Sequence, residues 1–295
     1  MENLLPHFPV SALTEALGVS KSGFYAHRLK PSRPRRKRDA ELGPLVVESF
    51  ERSRQTYGCR RVRIDLQQLG QCCGKTRVAR LLRHQGLCPR QKRRFRPKTT
   101  DRRHPHRIAE NWLARVPTPD RPGMVWQSDF TYIQTGEGWL FLAFTLDACT
   151  RRCIAHHGRD DLGAELATVT FALAIHRQPP PPGLLHHSDR GVQYAAEDFA
   201  ALTAAYGVTR RMSRTANPYD NALAESFVAT LKAEALAGQI PATRQAARLL
   251  VFDSIETFSN PHRRHSSLGY LSPLQFEQQM FPPNQPPKNP STLPI

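Results

Sequence analysis

Seven of the eight consecutive residues at 139–146 (WLFLAFTL) are apolar. A strand with one face in water would alternate. This run instead demands cover on both faces, as the central strand of a layered α/β sheet has. The preceding residues 125–133 (VWQSDFTYI) do alternate, which puts Asp129 on one face with Gln127 and Thr131. Residues 152–157 read as a third strand.

The next segments alternate between helical and extended periodicity. Residues 162–176 have helical spacing and end at the four prolines 179–182. Residues 183–187 form a short strand delivering Asp189, and Gly191 frees the chain to turn. A helix over 195–206 stops at Gly207, and a strand follows over 208–212. Asn217 caps and Pro218 opens a helix running to about residue 237, with Gly238 beyond it. Three strands, a helix, a strand, a helix, a strand and a last helix describe an RNase H-like α/β core. A helical segment over 243–258 and a Pro-rich tail close the chain.

Charge divides the 295 residues unevenly. Residues 1–120 hold 27 Lys+Arg against 10 Asp+Glu, whereas 121–295 hold 15 of each. The whole net charge of +17 therefore lies in the first two-fifths, as in a dedicated polyanion-binding region joined to a charge-balanced one. Within it, residues 10–30 read as two short helices around Gly18, with Ser20 capping the second. Lys21 and Tyr25 on that second helix suit phosphate and groove contacts of a helix-turn-helix. Residues 31–38 (PSRPRRKR) read as a Pro-interrupted basic linker unable to form a stable helix. Residues 57–87 repeat the helix-turn-helix pattern, with Arg77, Arg80 and Arg83 along its second helix as candidate phosphate contacts. Residues 92–107 are a second basic stretch, either tracking a DNA strand or linking domains.

No run reaches the ~20 apolar residues of a membrane span. The first ten residues lack a secretory pattern, so reduced cytosolic thiols are expected. Cys72, Cys73, His84 and Cys88 lack the paired spacing of a zinc site.

Three acids stand in telling contexts: Asp129 in WQSDFTY, Asp189 in HHSDRG and Glu225 in NPYDNALAESF, the last two 36 positions apart. Carboxylates gathered from distant segments suit a pair of Mg²⁺ ions that cleave and rejoin phosphodiesters. Any one of them alone would read as a cap or a solvated side chain. With these flanks, residues 124–273 resemble the catalytic core of DDE transposases and retroviral-type integrases. The match is to the second reading frame of IS3-type insertion sequences, and a weaker resemblance extends from about residue 10 to 275.

That resemblance implies a DNA transposase that binds terminal inverted repeats and uses two Mg²⁺ ions, with Mn²⁺ as a substitute, for strand cleavage and 3′-OH strand transfer. Its metal ligands would be Asp129, Asp189 and Glu225. Lys232, two helical turns past Glu225, resembles the lysine with which such enzymes grip DNA. Asn221, His187, Arg190 and Arg214 are further candidate contacts to DNA; a packed structural role competes for His187. Arg263, Arg264 and His265 are candidates to lie against DNA. Asp147 reads better as a capping residue than as a ligand, and Asp160 and Asp161 as helix-opening carboxylates.

The expected organisation is a helix-turn-helix-like module over 1–30 and a basic linker and helix over 31–55. A second such module with a basic linker spans 56–110, the integrase core 120–275 and a Pro-rich tail 276–295. Expected partners are double-stranded DNA (element ends and target), further copies of the chain, and an upstream-frame product joined by frameshifting. Competing readings are an RNase H-fold nuclease that only hydrolyses, and a non-catalytic or inactivated DNA-binding regulator.

Overall fold

In a computed structural model, which describes residues 5–29, 34–90, 119–189, 191–212 and 222–282, the apolar run forms β2 (Gly138–Asp147). Every side chain from Leu142 to Leu146 is buried, whereas Trp139, at the hairpin end, is not. β2 pairs antiparallel with β1 (Val125–Thr135) and with β3 (Cys153–Arg159). β4 (Leu185–Ser188) pairs parallel with β1, and β5 (Thr209–Met212) parallel with β4. The order β3-β2-β1-β4-β5, with helices on both faces, is the RNase H-like arrangement.

The chain divides into two compact units, 1–88 and 89–295. In the second, one sheet face packs on α6 (Ala164–Arg177), α7 (Val192–Ala195) and α8 (Glu197–Ala205), with Trp126, Phe171, Tyr194 and Phe199 filling the interface. The other packs on α9 (Ala222–Leu231) and α10 (Arg244–Phe252) through Ile133, Leu140, Phe144, Ala224, Leu231 and Val251. Each large apolar side chain so covered contributes about 1.5–3 kcal/mol. The β1–β2 turn is fixed by close approach: a Cβ on Gly136 would meet the Ala242 carbonyl oxygen at 2.5 Å.

The first unit holds α1 (Val10–Ala16), α2 (Lys21–Leu29), α3 (Pro34–Arg52), α4 (Cys59–Gln68) and α5 (Lys75–His84). Ser20 Oγ accepts from the Gly23 N–H at 3.0 Å, capping α2 as its sequence suggests. The expectation of a non-helical linker over 31–38 fails from Pro34 onward, where α3 begins. Proline is tolerated in a first helical turn because no intrahelical N–H bond is made there. The cationic run then winds round the first turns of α3, with Arg38 donating to Glu41 at 3.0 Å and to Gln71 at 2.8 Å.

Three further expectations are corrected. The helix expected over 195–206 is α8, which starts at Glu197 because Ala196 is extended and separates it from the short α7. The tail begins later than residue 276, because α11 (Pro273–Met280) is held by a Ser272/Gln275 capping box and buries Phe276 and Met280 against Cys149 and Leu268. Arg263 and Arg264 do not lie open to DNA; they are 4% and 7% exposed. Helix α9 widens into a π turn over Lys232–Leu236, and Glu234 from that turn accepts both guanidinium bonds of Arg263 at 2.7 Å. Arg264 donates to the Tyr270 carbonyl at 2.9 Å. Asn260 grips β3 from outside, accepting from the Cys153 N–H at 3.0 Å and donating to its carbonyl at 2.9 Å.

The pair of Glu234 and Arg263 is buried and bidentate, so removing one partner strands a charge. Arg263→Met should lower unfolding free energy by about 3–5 kcal/mol in a denaturant titration, and adding Glu234→Leu should recover most of that loss.

Candidate active site

Asp129 sits mid-way along β1, and Asp189 directly follows β4. Parallel pairing sets Val125 beside Leu185, Trp126 beside His186 and Gln127 beside His187. Two residues on, that register brings Asp129 level with Asp189 on neighbouring segments. Side chains alternate, so both aspartates share a face with Gln127 and His187. Trp126 and His186 take the opposite face, where both rings meet Phe171. The aspartates' face is the one α9 covers. Phe227 of α9 packs 4.8 Å from Phe144, which is the cross-strand partner of Asp129. Glu225 stands two residues before Phe227, exposed in the first described turn of α9.

Local bonds orient the aspartates. Asp129 Oδ1 accepts from the Phe130 N–H at 2.8 Å, and Asp189 Oδ1 from the Gly191 N–H at 3.0 Å. A Cβ on Gly191 would lie 2.9 Å from that Asp189 oxygen, so a side chain there would push the carboxylate aside, although the backbone at φ −57° does not itself demand the glycine that the sequence suggested. Beneath the aspartates, His186 Nε2 lies 2.9 Å from Ser128 Oγ, which lies 2.8 Å from Thr145 Oγ1. This chain of bonds staples β4, β1 and β2 together. Burial, with the charges of His187 and Arg210, pushes His186 down to about 3, so it stays neutral.

Tyr194 went unnoticed in the sequence. Its ring is fixed 4.8 Å from Phe130 and 5.4 Å from Phe199. Its buried hydroxyl has no hydrogen-bond partner among the described residues. Burial, then the charges of Asp129 and Asp189, raise its pKa well above the ordinary range. The only signal was its place five residues after Asp189 on the far side of a glycine turn.

Asp147 is a structural acid. It accepts from the N–H groups of Gly123, Cys149 and Thr150 at 2.6, 2.8 and 2.9 Å, closing the end of β2. Asp161 pairs with Arg159 at 2.8 Å. The donor set Asp129, Asp189 and Glu225 is all hard oxygen, which Mg²⁺ or Mn²⁺ prefers, and two members are level on adjacent segments. As placed, no three His, Cys, Asp or Glu side chains among the described residues stand close enough to hold an ion. The chemistry and sheet position fit a divalent cation, and binding one requires the set to draw closer.

Residues 119–218 and 206–273 match two integrase core domain models, and residues 37–95 match an HTH-like domain. The 31 kDa protein of insertion element IS600 from Shigella sonnei is 38% identical over 90% of this chain and 98% of its own length. The transposase InsF of insertion sequence IS3A from Escherichia coli K12 is 34% identical over 92% of this chain and 95% of its own.

The chain belongs to the IS3 family of transposases.

Among solved structures, a simian T-cell lymphotropic virus intasome has a chain that aligns with TM-score 0.47 and 16% identity, over 85% of this chain and 80% of that one. The HTLV-2 integrase catalytic core domain in complex with magnesium aligns at 0.41 and 15%, over 52% and 96%.

The transposase places its other candidate residues variously. His187 is half-buried, level with Gln127 on the aspartates' face. Lys232 Nζ sits 4.8 Å from the centre of the Tyr132 ring, three residues beyond Asp129 on β1, and burial lowers its pKa. Arg77 and Arg80 are drawn to Asp39 of α3, at 3.4 and 2.6 Å, while Arg83 is exposed. Lys21 and Tyr25 are exposed on α2. Arg190, Arg214 and Asn221, with the expected cap Asn217, lie outside the described residues. All six cysteines are free, and no described helix is long and apolar enough to cross a membrane.

The neutral His186 makes a pH prediction. Its folded pKa, about 3, lies below the unfolded value of 6.5. As pH falls below 6.5 the unfolded chain binds a proton that the folded chain refuses, so stability declines, by up to about 1.4 kcal/mol per pH unit. Between pH 6.5 and 5, above the carboxylate range, His186→Gln should flatten that slope in denaturant titrations.

Proposed function

We propose that Asp129, Asp189 and Glu225 are the metal-holding carboxylates of a strand-transfer site acting on the ends of the transposase's own element. The observation carrying this reading is the β1–β4 register, which sets Asp129 level with Asp189 on the face covered by the helix of Glu225. Two bound Mg²⁺ ions, or Mn²⁺ in their place, would supply the Lewis acidity that activates a hydroxyl nucleophile and steadies the leaving oxygen.

The chain's residues do the rest by position and charge. Asp129 from the middle of β1, Asp189 from the end of β4 and Glu225 from α9 would hold the ions. Held by the Phe130 and Gly191 N–H groups, the aspartates are oriented before substrate arrives. In the first step water cleaves a phosphodiester at the element end, leaving a 3′ hydroxyl. In the second, that hydroxyl attacks another phosphodiester, and one P–O bond forms as one breaks. Lys232 and His187 steady phosphates beside the acids, with Asn221, Arg190 and Arg214 as further contacts.

DNA recognition falls to the basic modules over 1–30 and 56–110, while 120–275 carries the chemistry. On α2, Lys21 and Tyr25 face a DNA backbone and groove, and Arg83 reaches a phosphate from α5. Arg77 and Arg80 reach one only by sharing their guanidinium groups with Asp39. Joining two ends requires two DNA sites held together, hence a multimer on DNA. An upstream-frame product fused by frameshifting would add a further DNA-binding segment, and the assembly would work on the bacterial nucleoid.

Strand transfer on labelled element ends tests the reading. Asp129→Asn, Asp189→Asn and Glu225→Gln should each cut both cleavage and joining by about a hundredfold or more while end binding persists. Chelating the divalent cation should do the same, with Mn²⁺ restoring activity. A chain that cleaves but never joins would be a nuclease; unchanged joining in Asp189→Asn would overturn the assignment.

A further inference from the structure

On the hairpin that joins β1 to β2, on the sheet face opposite the aspartates, stand two aromatic rings that no assigned role uses. Tyr132 is 59% exposed and Trp139 46% exposed. Their rings meet edge to face, 5.2 Å apart at 86°. They are not direct cross-strand partners: Tyr132 stands opposite Phe141, and Trp139 opposite Gln134. The contact is therefore a diagonal one, and it leaves broad aromatic surface open to solvent. Lys232 Nζ lies 4.8 Å from the Tyr132 ring centre, so the ammonium rests on a π face rather than on a carboxylate.

The platform is held rigidly. Gly136 donates its N–H to the Pro241 carbonyl at 2.9 Å. Arg244 donates from Nε to the Trp139 carbonyl at 3.0 Å and from its backbone to Glu137 at 2.8 Å. The core on the other face of the hairpin is filled by Ile133, Leu140 and Leu142, and about half of each ring is left open to solvent. An aromatic face with a cation against it is what stacks an unpaired nucleobase while holding its phosphate. Tyr132 follows Asp129 by three residues on one strand, roughly 10 Å at strand rise and on the opposite face, and Lys232 reaches its ring from the end of α9, the helix that covers the aspartates' face.

We propose that Tyr132 and Trp139, with Lys232, form a stacking site for an unpaired base of the element-end DNA whose phosphate Lys232 holds. This rests on the proposed strand-transfer reading and adds a subsite to it: the duplex frays, one base leaves its partner, and the hairpin takes it. Glu137, the acid on the same turn, is engaged by the Arg244 backbone N–H at 2.8 Å.

The test uses full-length protein carrying Asp189→Asn, so that binding is read without chemistry. Element-end duplexes carry 2-aminopurine at successive terminal positions and are compared with ends holding one to three unpaired bases. Quenching at one terminal position is expected, and it should be lost in Trp139→Ala and in Tyr132→Ala. Affinity for frayed ends should fall about tenfold in each, with less than about a twofold change for closed duplex. Trp139→Phe and Tyr132→Phe, which keep a ring, should retain quenching and affinity, guarding against simple misfolding of the alanine variants. Equal losses on frayed and closed DNA, or unaltered quenching in both alanine variants, would overturn the proposal. So would alanine variants that bind DNA normally but lose a protein–protein contact in sedimentation. Strand transfer by the chain without Asp189→Asn is measured alongside. If it proceeds normally while the stacking signal is absent, the subsite fails and the catalytic reading stands.

Discussion

Three residue pairs of parallel sheet, between β1 and β4, carry the rest of the arrangement. Asp129 and Asp189 are 60 positions apart in sequence and become neighbours only through that pairing. A slip of one residue would send one aspartate to the α6 face, because strand side chains alternate. Register is therefore guarded from beneath. Trp126 and His186 are each almost fully buried, and Ser128 links His186 to Thr145 across three strands. Misaligned strands would leave a buried imidazole and two hydroxyls without partners, at about 1–3 kcal/mol each.

The acids themselves stand on the opposite face, where burial is incomplete. Asp129 and Asp189 are half-covered, while Glu225 is exposed on α9. The molecule thus separates a neutral, closed hydrogen-bond chain on one side of the sheet from open carboxylates on the other. Phe227 against Phe144 ties the two halves together, since it seats the glutamate's helix over the cross-strand partner of Asp129. Beyond Glu225 the helix widens at Lys232, and that turn directs Glu234 inward to Arg263 and Lys232 outward to Tyr132.

Much of this was legible in sequence because it is written in local periods. The apolar run of β2, the alternation of β1 and the prolines after α6 each express a short-range rule. The three proposed acids stand out through their flanking residues rather than through spacing alone. What escaped reading depends on partners far along the chain. Nothing near Arg263 announces that Glu234, 29 residues earlier, will neutralise it in the interior. A basic tripeptide looks the same whether it meets phosphate or a buried carboxylate. Likewise Arg77 and Arg80 look like free cations until α3 brings Asp39 beside them. Beyond its place after the glycine turn, nothing in the sequence marks Tyr194; only the fold shows its hydroxyl buried, without a partner among the described residues, under the influence of two aspartates. The start of α3 at Pro34 was missed because proline's ban on helix interiors was applied to a first turn, where it does not hold.

Anomalous diffraction from crystals of the protein bound to element-end DNA and soaked with Mn²⁺ tests the convergence of the acids most directly. The account predicts manganese peaks between strands β1 and β4, bonded by Asp129 and Asp189, with Glu225 brought in from α9 to complete the set. Manganese seated elsewhere, or Glu225 left remote from metal and DNA alike, would contradict it.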